Sequence, residues 1–200
     1  MLTIIGTMKK KIIFILNPIS GTVSKAGIPK LIEERLDKET FDYDIAETEY
    51  AGHATELAKK AAEKGVDIVV AIGGDGTVNE VGRALINTET AMAILPCGSG
   101  NGLARHLRLP MNLKKCIDII NMCDIHSLDY GIINQHPFFC TCGMGFDAFI
   151  SMKFANAGKR GPITYVQQVL EEGVKYVPET YEIEDEDGIQ HYKAFLVSAA

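Results

Sequence analysis

The sequence predicts an α/β chain: a doubly wound, mostly parallel sheet with helices on both faces, followed by a β-rich second part. Three observations carry this prediction. Short β-branched runs alternate with amphipathic stretches through the first two-thirds of the 200 residues. Glycine-rich turns follow three of the apolar runs. After about Asp124 the alternation gives way to apolar segments joined by short turns, which is antiparallel patterning.

The elements follow in order. Lys11 to Leu16 is a short apolar run closed by Asn17-Pro18, so it reads as a buried strand ending in a turn. Ile28, Leu31, Ile32 and Leu36 have helical spacing. Tyr43 to Thr48 reads as a second strand, and His53 to Lys64 as a helix with Leu57, Ala58, Ala61 and Ala62 on one face and Gly65 as its stop. Asp67 to Ile72 is apolar nearly throughout, as a strand covered on both faces should be. A helix over Val78 to Ile86, a strand over Ala91 to Leu95 and a helix over Leu113 to Met122 complete a first domain spanning residues 1–126. In residues 127–200, strands are expected over Ser127 to Ile133 and His136 to Cys142. Helices follow over Phe146 to Ala157 and Ile163 to Tyr176. Strands over Thr180 to Ile183 and Gln190 to Ala200 flank the turn Asp185-Glu186-Asp187-Gly188. The apolar run Ala194 to Ala200 has no closing polar residues, so the reading expects a chain truncated at its C-terminus and an incomplete second domain.

Composition narrows the function classes. A net charge of −6 argues against a nucleic-acid binder held by phosphate contacts. No apolar run approaches the roughly 20 residues that span a bilayer, and none has the layout of a signal peptide. Cys97, Cys116, Cys123, Cys140 and Cys142 are odd in number and lie in apolar contexts, the pattern of reduced thiols in a cytoplasmic protein.

The chemistry concentrates in the three turns: Asn17-Pro18-Ile19-Ser20-Gly21, Gly73-Gly74-Asp75-Gly76-Thr77, and Pro96-Cys97-Gly98-Ser99-Gly100-Asn101-Gly102. In an open α/β sheet, ligands bind beyond the carboxyl ends of the strands, where such turns gather. Glycine lets the backbone approach a phosphate, and a helix N-terminus offers it unpaired N–H groups. Neither GxGxxG nor GxxxxGK[ST] occurs, so a dinucleotide fingerprint and a Walker P-loop are both disfavoured. Asp75 would repel a bare anion at this place. It makes sense as an organiser of Mg²⁺ or as a base toward an attacking hydroxyl, and equally as a helix cap or Asx-turn.

Gly73-Gly74-Asp75-Gly76-Thr77-Val78-Asn79-Glu80 resembles the nucleotide-binding signature of the diacylglycerol kinase catalytic domain, shared with sphingosine kinases and bacterial soluble lipid kinases. Asn17 to Gly21 resembles the family's NPxSG turn, Thr48 its second-strand threonine, and Leu95 to Arg105 its LPxGSGNxLA segment. Leu128-Asp129-Tyr130-Gly131 and Gly143 to Ala148 resemble later landmarks, so the likeness covers nearly the whole chain.

This resemblance implies an ATP- and Mg²⁺-dependent kinase of a lipid hydroxyl, built as an α/β nucleotide domain and a β-sandwich domain with the active site between them. It implies that Asn17, Pro18, Ile19, Ser20, Gly21, Thr48, Gly73, Gly74, Gly76, Thr77, Val78, Asn79, Glu80, Ser99, Gly100 and Asn101 line the nucleotide site, with Asp75 as the central acid. Asp129 would join a Mg²⁺–water network, Asp147 would lie near the lipid headgroup, and Lys159 and Arg160 would meet phosphates or remain solvated surface charges. The family's second domain continues for about a hundred residues with further acidic ligands. Residues Met1 to Ala200 alone are therefore expected not to turn over. The acceptor stays open among diacylglycerol, a sphingoid base and another lipid alcohol. The implied setting is the cytoplasm with transient membrane visits, and a homodimer fits the plan. NAD kinase, which shares a GGDGT turn, is the nearest rival; a silent nucleotide- or lipid-binding module is the other. Cys140-Thr141-Cys142 lacks a second ligand pair for a metal, and His53 reads as a cap of its own helix.

Overall fold

The computed structural model describes residues 8–21, 24–156, 169, 173 and 175–200. The chain forms two compact units, Met1–Phe139 and Cys140–Ala200. The β-strands of the first unit are β1 (Lys10–Leu16), β2 (Phe41–Glu47), β3 (Ile68–Gly73) and β4 (Ala91–Pro96), joined into one sheet of order β2-β1-β3-β4. All three pairings are parallel, with registers such as Phe14 opposite Ile45 and Val70, and Ile72 opposite Leu95. Between them run α1 (Ile28–Arg35), α2 (His53–Glu63) and α3 (Asp75–Leu85), and α4 (Gly102–His106) and α5 (Leu113–Met122) follow β4.

The strand order explains the two faces. The chain moves from β1 outward to β2, then crosses back past β1 to β3 and on to β4, so the connection reverses direction between β1 and β3. With right-handed crossovers this puts α1 on one face and α2 and α3 on the other. α1 packs with α5, and Ile28, Ile32, Ile117 and Ile120 from these helices cover Phe14, Leu16, Val70 and Ile72 of the sheet. The opposite-facing Ile15, Val69 and Ala71 are fully buried as well. That is why β3 reads as an unbroken apolar run, whereas edge strand β2 buries only Phe41 and alternates half-buried Tyr43 and Ile45 with exposed Asp42 and Asp44. Ala54, Ala58 and Ala61 give α2 a small-residue buried face, and α2 packs closely against α3. Gly65 ends α2 at φ +67, with Gly65 N–H on the Ala62 carbonyl and Val66 N–H on the Ala61 carbonyl, the paired bonds of a Schellman motif.

The rest of the first unit is a small hairpin, β5 (Gly131–Ile133) with β6 (His136–Phe138), whose Pro137 carbonyl accepts from Arg83 Nε of α3 at 3.1 Å. The second unit contains β7 (Cys142–Gly145), α6 (Phe146–Asn156), β8 (Glu179–Asp185), β9 (Gly188–Ala194) and β10 (Leu196–Ala199). β7 pairs antiparallel with β10, and β8 with β9. Phe146, Tyr176 and Phe195 form its aromatic cluster, with the Phe146 and Phe195 rings 4.5 Å apart. The acidic hairpin tip is exposed and closed by the Asp187 N–H donating to Asp185 Oδ1 at 2.9 Å, a solvated Asx-type turn as its composition implies.

Four expectations are corrected. The helix after β3 begins at Asp75, not Val78, because the GDGT residues are themselves its first turn. Of the expected strand Ser127 to Ile133, only Gly131–Ile133 pairs; residues 124–130 have no regular structure. The segment His136 to Cys142 divides, since β6 turns back on β5 while Cys142 begins a strand aimed at β10. Gln190 to Ala200 breaks at Phe195, whose carbonyl accepts the Phe146 N–H at 3.0 Å and so leaves the hairpin ladder. The short helix α4 was not expected. The expected helix Ile163 to Tyr176 falls mostly outside the described residues, as do Lys159 and Arg160.

Candidate active site

The three glycine turns converge at the carboxyl end of the sheet. Asn17 and Gly73–Thr77 follow β1 and β3, the neighbours between which the strand order reverses. Asn17 Nδ2 donates to Thr77 Oγ1 across that switch point at 3.1 Å, while its Oδ1 accepts the Ile19 N–H at 3.2 Å and its carbonyl accepts the Ser20 hydroxyl at 3.1 Å. Lys25, buried at the far end of this turn, donates its ammonium to the Ser20 carbonyl.

Glycine is required where the turns touch. Gly21 sits at φ +69, and a Cβ there would lie 1.9 Å from the Cys97 carbonyl oxygen. A Cβ on Gly98 would lie 2.5 Å from Gly74 Cα. These two contacts bring the first and second turns onto the third, backbone against backbone. Asn101, held at φ 54, locks the third turn by accepting the Gly98 N–H at 2.8 Å and donating to the Gly98 carbonyl at 2.7 Å.

The acidic side chains of the central motif turn away from their own helix. Asp75 Oδ2 accepts the Asn101 N–H at 2.9 Å and Oδ1 accepts the Gly102 N–H at 2.5 Å, so the carboxylate clamps the start of α4. Glu80 Oε1 and Oε2 accept the Gly52 and Ala54 N–H groups at 3.0 and 3.2 Å, capping α2. α2 is thus capped from α3; His53 instead accepts the Glu49 N–H on Nδ1 and stacks on Tyr50 at 4.5 Å, outside the helix it was expected to cap. Meanwhile, among the described residues, no side chain accepts from the first N–H groups of α3. Its first N–H groups, on Asp75, Gly76 and Thr77, lie at the crossing of the three turns, with Gly74 extended behind them. A Cβ on Gly76 would meet nothing within 4 Å, and Gly76 is helical, so the fold places no demand for glycine there.

Three buried groups complete the electrostatics. Thr48, beside the first turn through its N–H bond to the Leu16 carbonyl at 2.9 Å, is 8% exposed, and its hydroxyl has no partner among the described residues. Burial pushes the Cys97 thiol above its ordinary range, opposed by the nearby Lys25 ammonium, and pushes Cys116 up to about 11, with Cys97 adding to the effect.

The turns from Asn17 to Gly21, Gly73 to Thr77 and Gly98 to Asn101 therefore meet, and Thr48 and Glu80 adjoin them. Ser99 is exposed on the third turn. Asp129 is exposed on the irregular stretch after α5, with no hydrogen bond or ion pair among the described residues. Asp147 belongs to the second unit, on the first turn of α6, with its Oδ1 accepting the Ala148 N–H at 2.7 Å. Sequence reasoning missed Lys25, the bond of the Gly102 amide to Asp75 and the packing role of Gly98. The amide of Gly102 acts through its backbone, which no motif advertises, and Lys25 is separated from the first turn by residues of ordinary composition.

A parallel sheet gathering glycine turns and an uncapped helix N-terminus at its switch point is the architecture in which α/β folds receive phosphorylated ligands. The chain belongs to the diacylglycerol kinase catalytic domain family, which residues 11–133 match. Similar proteins include the diacylglycerol kinase of Staphylococcus saprophyticus, 34% identical over 134 residues that cover 66% of this chain and 44% of that protein. The diacylglycerol kinase of Staphylococcus epidermidis is 30% identical over 194 residues, covering 94% of this chain and 61% of that one. A solved diacylglycerol kinase structure from Bacillus anthracis str. Sterne superposes with a TM-score of 0.69 at 26% identity, covering 96% of this chain and 64% of that one. The chain spans about half the length of the curated relatives it matches.

Proposed function

We propose that this chain carries the nucleotide half of an ATP- and Mg²⁺-dependent lipid kinase. The observation that carries the reading is Gly76 beside an uncapped α3: a glycine the fold does not need, at a helix N-terminus whose own acidic residues cap other helices. Such a place suits close approach of a phosphate to backbone N–H groups. The orphan hydroxyl of Thr48 supplies a hydrogen-bonding group that a nucleotide would satisfy.

The residues divide the work as follows. The amides of α3's first turn bind phosphate oxygens, while the Asn17–Thr77 bond holds the first two turns at a fixed separation. With an amide on each carboxylate oxygen, Asp75 is an organiser of the phosphate-facing loops rather than the base that takes the acceptor's proton. Among the described residues no three carboxylate, histidine or cysteine side chains converge on one point. Mg²⁺ would then be held chiefly by phosphate oxygens and water and would supply charge neutralisation on the transferred group. Ser99, Asp129, Asp147, Lys159 and Arg160 keep their family roles as proposals. Among the described residues no helix is long and apolar enough to cross a membrane, and we place the enzyme in the cytoplasm with visits to the membrane surface.

The test uses the complete gene product containing this chain. It is incubated with γ-labelled ATP, Mg²⁺ and separate micelles of diacylglycerol, a sphingoid base and a polyprenol, with NAD as a soluble control. Label in one lipid, lost on Asp75→Ala, is the expected result and names the acceptor. Label in NAD alone, or silence in every tube, would sink the reading.

A further inference from the structure

The stretch from Asn101 to Cys123 differs in charge from the rest of this acidic chain. It contains Arg105, Arg108, Lys114 and Lys115, and its sole carboxylate is Asp118. That carboxylate is taken: Arg35 Nη2 of α1 donates to both of its oxygens, at 2.7 and 2.9 Å. Among the described residues none of the four basic side chains pairs with an acid, and all four are exposed. Leu107 and Met111 stand between them, 41% and 40% exposed.

The stretch is compact and its place is fixed. After α4 the Arg108 and Leu109 N–H groups turn back onto the Arg105 and Ala104 carbonyls at 2.9 and 2.8 Å, closing a Schellman-type turn. The residue at its left-handed position is Arg108, at φ 56, where glycine would be unstrained. α5 then runs back across the sheet to reach Arg35 at the end of α1. Its first turn, with Lys114 and Lys115, therefore lies at the end of the sheet where the glycine turns gather. Two contacts tie the surface to the site: Arg105 Nε donates to the Gly100 carbonyl at 2.8 Å, and Met111 Sδ lies 3.8 Å from Asn101 Nδ2.

We propose that Arg105, Leu107, Arg108, Met111, Lys114 and Lys115 dock the first unit on the surface of an anionic bilayer. Basic side chains around exposed apolar ones are what such a surface binds: charges meet lipid phosphates while Leu107 and Met111 enter the interface. The docked stretch includes the helix that Asp75 clamps, so docking holds the phosphate-facing loops against the lipid. The inference rests on the lipid-kinase reading for its choice of partner, but its test requires no turnover. A failed kinase assay and a failed docking assay are thus separate results.

The experiment is sedimentation of the complete gene product containing this chain with phosphatidylcholine vesicles, with and without phosphatidylglycerol. Binding should require phosphatidylglycerol and weaken with salt. Each neutralised charge should lower the partition coefficient about fivefold, so Lys114→Gln with Lys115→Gln should cost about 25-fold. Lys59→Gln with Lys60→Gln, exposed on α2, should change it little. Arg108→Gly separates docking from folding, because it should raise the melting temperature by relieving the left-handed residue and still weaken sedimentation. Equal binding to neutral vesicles, or equal loss from the α2 pair, would overturn the proposal. So would full displacement by soluble glycerol phosphate, which would mark a phosphate pocket instead of a surface.

Discussion

Gly76→Ala should make the protein more stable and a worse nucleotide binder. Gly76 is the second residue of α3, helical, with open space where a Cβ would be. Alanine in a helix is favoured over glycine by up to about 1 kcal/mol, and near a helix end roughly half of that is reasonable. For a chain of this size, the melting temperature should rise by about 1–2 °C. The methyl group would occupy the approach from which a phosphate oxygen takes backbone N–H bonds at about 2.9 Å. Losing one bond to a charged oxygen should weaken Mg·ATP binding about 10- to 100-fold. Gly98→Ala is the opposite control: its Cβ would lie 2.5 Å from Gly74 Cα, so the turns must separate and stability must fall. Differential scanning calorimetry and titration calorimetry on the complete gene product read both quantities. If Gly76→Ala destabilises, the fold needs that glycine after all. If it leaves nucleotide affinity unchanged, phosphate does not approach there, and the reasoning behind the proposed site fails.

Other expectations follow from the same contacts. Glu80→Ala strips the partners from Gly52 and Ala54 N–H and should cost about 1–2 kcal/mol, with faster amide exchange confined to the first turn of α2; unchanged exchange would refute the cap. Cys116, pushed up to about 11 by burial, and Cys97, raised by the same cause, should be the slowest thiols to alkylate at pH 8, as mass spectrometry of partly labelled protein would show. Asp37 is held below its usual 3.8 by the Thr40 hydroxyl first and the Glu39 N–H second. Its lowered value means that stability is present above pH 3.8 and is lost as the pH falls through the folded value. The melting-temperature gap between wild type and Thr40→Val should therefore be level above about pH 5 and close in acid, and a gap that widens in acid would contradict this.

The parallel sheet was legible because its signal is local: apolar runs of strand length, three of them followed by glycine-rich turns, with amphipathic helices between. α2 could be read to its glycine stop, since Gly65 marks a backbone state that few other residues tolerate. The later strands were not legible at the same grain, because an apolar run does not reveal its partner. Phe195 looks like mid-strand, yet its carbonyl is claimed by Phe146 from 49 residues earlier in the chain, and the run divides there. α4 was hidden for another reason: five residues opening on glycine carry no periodicity, and what starts the helix is the distant Asp75. The site showed the same divide. Side-chain identities at the turns could be read, but the contacts that set them, Gly21 on Cys97 and Gly98 on Gly74, are backbone contacts between segments remote in sequence.

Those contacts change what the central motif can be taken to mean. Intact Asp75 and Glu80 would ordinarily count as evidence that catalysis is retained. Here each carboxylate spends both oxygens on the N-terminus of another helix, Asp75 on α4 and Glu80 on α2. A descendant that had lost turnover would still need both residues to hold its turns together, so their presence does not separate an active kinase from a silent module. Gly76 answers a different question, whether a phosphate comes to this helix at all. Alanine there meets no steric obstacle and favours the helix, so without a ligand nothing in the packing holds the position at glycine. The most informative residue of the motif for binding is accordingly the one whose side chain is absent, and a sequence with this motif but alanine at that position should fold well and bind nucleotide about 10- to 100-fold more weakly.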